Sequence, residues 1–313
     1  MKQHLIKAYA AALIYACIIG FSFLFVTIAL ESADPLDVLA HRFTIAFAAA
    51  TLILAVKRPS FSIRWSDLLN IMPLALLYPT GFFVFQTFGL VYTTSSEAGI
   101  IQATVPILTV FLASVLLRER STFMQKIALT VSSAGVIFML LMGGMSGASF
   151  SLIGIALILL SALCAALYNI FARSLTKAYS LPLLTYVMTG FGFIAFNGLS
   201  IGSHLIEGTL SSWWAPMGDS RYLLPVLYLG ILSSLVTSFM SNYALSVLEA
   251  AKMSVFSHVA TLITIVAGVL FLHESLGYYH VIGGIAILGG VIVTNLPSAR
   301  KAKKRHHDKS MAF

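Results

Sequence analysis

Apolar residues run along this chain in long unbroken blocks, at 8–30, 36–56, 68–92, 98–117, 124–144, 150–172, 181–203, 222–246, 253–272 and 277–296. Polar residues collect in the gaps between them. About 20 apolar residues in a helix cross the roughly 30 Å of hydrocarbon in a bilayer, and each block is near that length. A membrane barrel would instead alternate apolar and polar residues over segments of about ten. These blocks are continuous and rich in Leu, Ile, Ala and Phe, and helices close their own backbone hydrogen bonds where no water is available. The pattern predicts an all-α polytopic membrane protein with ten transmembrane helices. The first block follows Lys2 and Lys7 and so imitates a secretory leader. Its 23 residues are long enough to span, however, and it lacks a small-residue cleavage pattern.

The blocks also repeat. A shift of 155 residues carries Leu117-Arg118-Glu119 onto Leu272-His273-Glu274, Ile127 onto Ile282, and Gly135-Val136-Ile137 onto Gly290-Val291-Ile292. The same shift brings Leu90 onto Leu245 and Thr109 onto Thr264. A shift of 147 matches Cys17 to Cys164 and Pro35-Leu36 to Pro182-Leu183, which implies an insertion near 204–221. Identities among apolar residues are cheap, so the shared Leu-x-Glu carries most of the weight. The expected organisation is a five-helix repeat at 8–144, a second at 150–296, and a basic tail at 297–313. Five is odd, so the second copy enters the membrane from the opposite side. That is an inverted-topology repeat, an architecture common among secondary transporters.

Composition removes other classes. The chain is 59% hydrophobic and 10% charged, against about 25% charged in an average soluble domain, too few to cover a surface facing water. A soluble enzyme is excluded. Seventeen of the nineteen Lys and Arg fall on the cytoplasmic side when both termini are placed there, as positive-inside loops require. The exceptions are Arg221, outside, and Arg42, within the second block. The basic tail reads as a juxtamembrane cluster facing anionic lipid, with no nucleic acid implied. Cys17 and Cys164 lie inside apolar blocks and read as small packing residues, with no disulfide or metal framework.

Several short patterns then carry a resemblance. Gly20-Phe21-Ser22-Phe23, His41-Arg42-Phe43, Pro106, and Leu117-Arg118-Glu119 echoed by Leu272-His273-Glu274 together resemble the EamA-type branch of the drug/metabolite transporter superfamily. The resemblance covers nearly the whole chain. It implies a ten-helix exporter of amino acids or other small metabolites, with a central cavity between the repeats. Thr261 departs from the pattern, standing where the second repeat often has a proline.

Polar groups inside a lipid span must find internal partners or line water, so each is a site candidate. Toward the outer side these are Ser22, Arg42, Gln86 and Gln102; toward the inner side they are Asn169, Tyr186, Asn242, Ser257 and His258. For any single Gln, Asn or Ser, hydrogen bonding between helices is the plainer role. Arg42 either anchors a substrate carboxylate, or snorkels outward, or pairs with Asp37 or Asp34. His258 is either a neutral core histidine or a proton carrier. Phe23, Tyr78, Phe82, Phe83, Tyr168 and Tyr228 are a candidate aromatic lining, with helix packing as the alternative. Glu119 and Glu274 stand at block ends, where an acid stabilises the N-terminus of the following helix, an architectural role.

No acid lies in the first block and none deep in any other, which disfavours an exporter of cations. There is no P-loop, HExxH or GxSxG. No cofactor or metal is expected. The resulting expectation is a multi-pass secondary transporter of the cell membrane, exporting a small neutral or anionic metabolite by rocking of one repeat against the other. A small-molecule substrate and membrane lipid are the expected partners, with proton coupling through His258 left open. The competing readings are a proton-coupled drug exporter, a non-transporting scaffold and a membrane-embedded lipid-modifying enzyme.

Overall fold

A computed structural model describes residues 2–57, 64–116, scattered positions between 127 and 142, 151–254 and 256–295. The tail 297–313 and the turn holding Glu119 lie outside the described residues. Every regular element among the described residues is helical. Seven helices there are long and apolar enough to cross a membrane: Gln3–Leu30, Pro35–Val56, Trp65–Leu90, Ser95–Ala113, Leu152–Ala178, Leu181–Glu207 and Ser220–Val247. They correspond to blocks one to four and six to eight, and are called by those ordinals below. The ninth block is the shorter helix Ser257–Phe271, preceded by Ala250–Ser254, and the tenth is Tyr278–Asn295. Of the fifth block only scattered helical positions between 127 and 142 are described. The ten-helix expectation agrees with this arrangement.

Local sequence explains where helices begin and end. The Thr94 hydroxyl accepts from the Glu97 N–H at 3.2 Å while the Glu97 carboxylate accepts from the Thr94 N–H at 3.1 Å. This reciprocal cap satisfies two otherwise orphaned donors and starts the fourth helix. The seventh helix ends at Gly208, whose φ of 71° is left-handed and free of penalty without a Cβ.

Two helices depart from regular geometry at matching places. The third changes to π-type turns at Leu76–Gly81, with Tyr78 extended at φ −142°, ψ 118°; the eighth does so at Tyr228–Val236. The shift of 155 carries 76–81 onto 231–236, inside the second irregular segment. Pro73 and Pro79 lack the N–H that regular turns would use, and Pro225 does the same before the break in the eighth helix. Sequence alone suggested continuous helices at both places.

The helices close into a ring whose order is first, eighth, second, seventh, third, sixth, fourth, ninth, and back to the first. Members of the two repeats alternate all the way round, so the closest packing is between repeats rather than within them. The arrangement is symmetric: the first helix meets the eighth and ninth as the sixth meets the third and fourth. Small residues permit the closest approaches. A Cβ at Gly20 would lie 2.8 Å from the Ala260 carbonyl, and Thr264 Oγ1 donates to the Gly20 carbonyl at 2.9 Å. Thr261 Oγ1 likewise donates to the Gly99 carbonyl at 3.0 Å. The hydroxyl that replaces the familiar proline therefore ties the ninth helix to the fourth.

Candidate functional site

Inside the ring lies a cavity lined by Tyr15, Phe23, Phe82, Gln102, Asn169 and Ser257, with Thr261 and Thr264 on the wall of the ninth helix. Its volume is about 30 Å³, room for about two water molecules on that measure. Gln102 from the outer group of polar residues and Asn169 and Ser257 from the inner group thus face one space. Gln102 Nε2 donates to Ser161 Oγ at 2.9 Å, and Ser161 Oγ donates to the Phe82 carbonyl at 2.9 Å. The lining is uncharged: a few polar groups set among aromatic and aliphatic side chains such as Ile19, Val105 and Met253.

Arg42 lies elsewhere, against the irregular segment of the eighth helix. Its Nε donates to Ser234 Oγ at 2.7 Å, and Nη2 donates to Ser233 Oγ at 2.8 Å and to the Ser233 carbonyl at 3.3 Å. The guanidinium carbon stands 3.7 Å from the centre of the Phe83 ring. Arg42 is 0% exposed, and its Nη1 has no hydrogen-bond partner among the described residues. Hydroxyls and a ring face solvate the cation without neutralising it.

Asp37 is not its partner, as the sequence had left open. The Asp37 carboxylate accepts from His204 Nε2 at 3.0 Å and from Ser200 Oγ at 2.6 Å, and Ser200 Oγ accepts from Trp213 Nε1 at 2.8 Å. This chain pins the loop after the seventh helix onto the start of the second. His41, one residue before Arg42, meets Tyr222 Oη through Nδ1 at 2.8 Å and stacks on Trp214 at 5.2 Å.

The remaining candidates are dispersed. Tyr168 Oη donates to Asn242 Oδ1 at 2.8 Å, and Asn242 Nδ2 donates to Thr185 Oγ1 at 3.3 Å, linking the sixth, eighth and seventh helices. Tyr168 also stacks on Tyr78 at 4.7 Å. Ser22 returns its hydroxyl to the Ile19 carbonyl of its own helix, the helix-internal role. Gln86 is fully buried, with neither amide atom partnered among the described residues. Tyr186 stacks on Phe47 at 5.1 Å beside a lateral groove. His258 is half-buried, and neither ring nitrogen has a partner there.

Glu274 accepts from the Ser95 and Ser96 N–H groups at 2.7 and 2.8 Å. The helix start it stabilises is therefore that of the fourth helix, in the other repeat, and not that of the helix following it in the chain. Close by, His280 Nδ1 accepts from the Gly277 N–H at 3.0 Å, so its Nε2 carries the proton shared with Glu97 at 2.9 Å. A neutral imidazole suffices for both bonds. Sequence reading missed Ser233 and Ser234, although an adjacent pair of small polar residues in the middle of an apolar block was a usable signal. It also missed the Asp37–His204 pair, whose members are 167 residues apart.

Comparison with known proteins agrees with this architecture. The model of the EamA-like transporter family matches residues 6–141 and again 152–296. The chain is 50% identical over 304 residues to the "Uncharacterized transporter YcxC" of Bacillus subtilis (strain 168), covering 97% of each. It is 28% identical over 278 residues to an "Uncharacterized transporter" of Archaeoglobus fulgidus, covering 88% of this chain and 94% of that one. A protein of known crystal structure superposes with a TM-score of 0.65 over 96% of this chain and 99% of its own, at 19% identity. That likeness concerns the fold.

Proposed function

Because the chain belongs to the EamA-like transporter family, we propose that this multi-pass membrane transporter exports a small metabolite bearing a carboxylate, such as an amino acid, by alternating access. The observation that carries this reading is Arg42, a fully buried guanidinium with an unclaimed Nη1 and no acid among its hydrogen-bond partners. A charge inside a bilayer is costly and marks a pathway or a ligand site by default. A carboxylate supplies the missing counter-charge and takes two parallel hydrogen bonds. Gln102, Asn169 and Ser257, with Phe23, line the central cavity, which Arg42 does not border in this conformation, and are proposed to take the neutral part of the substrate as the helices tilt. Tyr168, Tyr186, Asn242 and Ser22 are assigned to helix contacts, while Gln86, fully buried with neither amide atom partnered among the described residues, stays a binding candidate.

The alternation of repeats around the ring bears on mechanism. Two interleaved sets of helices do not move as separate sequence blocks. Exchange between outward and inward states then proceeds by tilting of paired helices, with the irregular segments of the third and eighth as bending points. Flux of a labelled amino acid into sealed proteoliposomes tests the reading. Accumulation that depends on the protein and stops with an excess of unlabelled carboxylate supports it. Flux of neutral or cationic solutes alone would remove the carboxylate.

Both termini are assigned to the cytoplasm of the cell membrane, on the charge distribution of the loops. A cytoplasmic-type reporter fused after Phe313 is expected to be active and a periplasmic-type reporter silent; the opposite pattern reverses the orientation. His258, next in the chain to Ser257 of the cavity, is the candidate for proton coupling, with a packing role as the alternative. The substitution His258→Gln is expected to flatten the pH dependence of flux while substrate binding persists. An unchanged pH profile returns His258 to a packing role.

A further inference from the structure

The central cavity is not the largest space in the protein. A groove of about 360 Å³ runs between the second, seventh and eighth helices, within the size range of ligand pockets. Its wall is almost wholly apolar, with Thr185 and Tyr186 its only polar residues. Ile53, Ile231 and Phe239 on its rim are 46%, 40% and 37% exposed, so the groove opens sideways, where a membrane span meets hydrocarbon. Along the eighth helix it extends from Ile231 to Met240, about 13 Å at 1.5 Å per residue. That is close to one leaflet's half of the roughly 30 Å core.

The two ends of the groove differ. The second and eighth helices both run toward the face where the seventh begins at Leu181. At that face the second helix ends in Lys57, three residues beyond Leu54 of the groove wall, and Lys177 lies in the last turn of the sixth helix. Lys177 is exposed and pairs with no carboxylate among the described residues. An apolar slot one leaflet deep, with lysine-bearing helix ends on the face it approaches, has the form of an amphiphile standing upright in the bilayer. Flexible lysines at helix ends reach the interface and attract anionic headgroups.

We propose that this groove is a binding site for one anionic phospholipid, with an acyl chain along Leu235 and Phe239 and its phosphate near Lys57. The lipid fills the space between the seventh helix and the irregular segment that presents Ser233 and Ser234, and it holds that segment in place. The site is independent of the Arg42 reading.

The test uses the full chain purified in a neutral detergent, with phosphatidylglycerol or phosphatidylcholine added. Native mass spectrometry should retain one phosphatidylglycerol in preference to phosphatidylcholine, and the unfolding midpoint should rise with added phosphatidylglycerol, as for any ligand of the folded state. Ile53→Trp places an indole in the groove from its exposed rim and should weaken that binding by about tenfold or more, with the midpoint in detergent alone unchanged. Ile231→Trp fills the groove from the opposite wall and serves if the first variant folds poorly. Lys57→Gln should abolish the preference for the anionic headgroup. Wild-type phosphatidylglycerol binding in both tryptophan variants would overturn the site. A dimer dissociated by Ile53→Trp would also overturn it, since a second copy would then fill the groove. An undiminished headgroup preference in Lys57→Gln would overturn the assignment of the phosphate.

Discussion

Arg42→Lys is expected to lower flux of a carboxylate substrate on the order of 100-fold while the protein still inserts and remains monodisperse. A hydrogen bond to a charged group contributes about 1.5–3 kcal/mol, and each 1.4 kcal/mol is about tenfold. A guanidinium offers a planar pair of donors to a carboxylate, and an ammonium on a shorter reach cannot reproduce them. The lysine keeps the positive charge, so loss of function would follow geometry rather than charge. Its ammonium also cannot hold Ser233, Ser234 and the Phe83 face together as the wider group does. Flux into proteoliposomes, normalised to folded protein, provides the measurement. Arg42→Gln separates the alternatives. Carboxylate binding that survives unchanged in that variant would leave Arg42 as a brace between the second and eighth helices, and the proposed substrate class would fall with it.

The second large effect belongs to stability. Glu274→Gln should reduce the stability of the folded protein by about 2 kcal/mol, the sum of a lost cap and a lost helix-dipole partner. The carboxylate serves two N–H donors at once, those of Ser95 and Ser96. A glutamine can offer only one oxygen, and its amide nitrogen turns two protons toward the other donor. Gly268→Ala should give a similar loss with the charge kept, because a Cβ there occupies the place of the Glu274 carboxylate and of Ser96 Oγ. Both variants should show a lower unfolding midpoint and lower yield, with flux per folded molecule near wild type. Normal yield with selective loss of flux in both would place Glu274 in the transport pathway.

Much of this protein was legible one residue at a time. An apolar block in lipid has no acceptor for its N–H groups except its own carbonyls, so it becomes a helix whatever its neighbours are. That is why the positions of the described helices, their repetition and the place of Glu274 at a helix end could be read from the chain alone. It is also why Arg42 and Gln102 stood out, since a polar group in such a block is conspicuous.

The partners were another matter. Arg42 meets Ser234 across 192 positions of chain, and Glu274 meets Ser95 across 179. Nothing local distinguishes Asp37 from Ser233 as a partner for Arg42, and lipid surrounds every apolar face equally. Which faces meet is decided by how closely backbones approach, as at Gly20 and Gly99, and by which hydroxyls then find carbonyls, as Thr264 and Thr261 do. Those choices depend on the summed fit of many distant side chains. The helices themselves were therefore determined by the sequence through local hydrogen bonding, whereas the alternating ring, the placement of Arg42 and the lateral groove were decided by packing between the repeats.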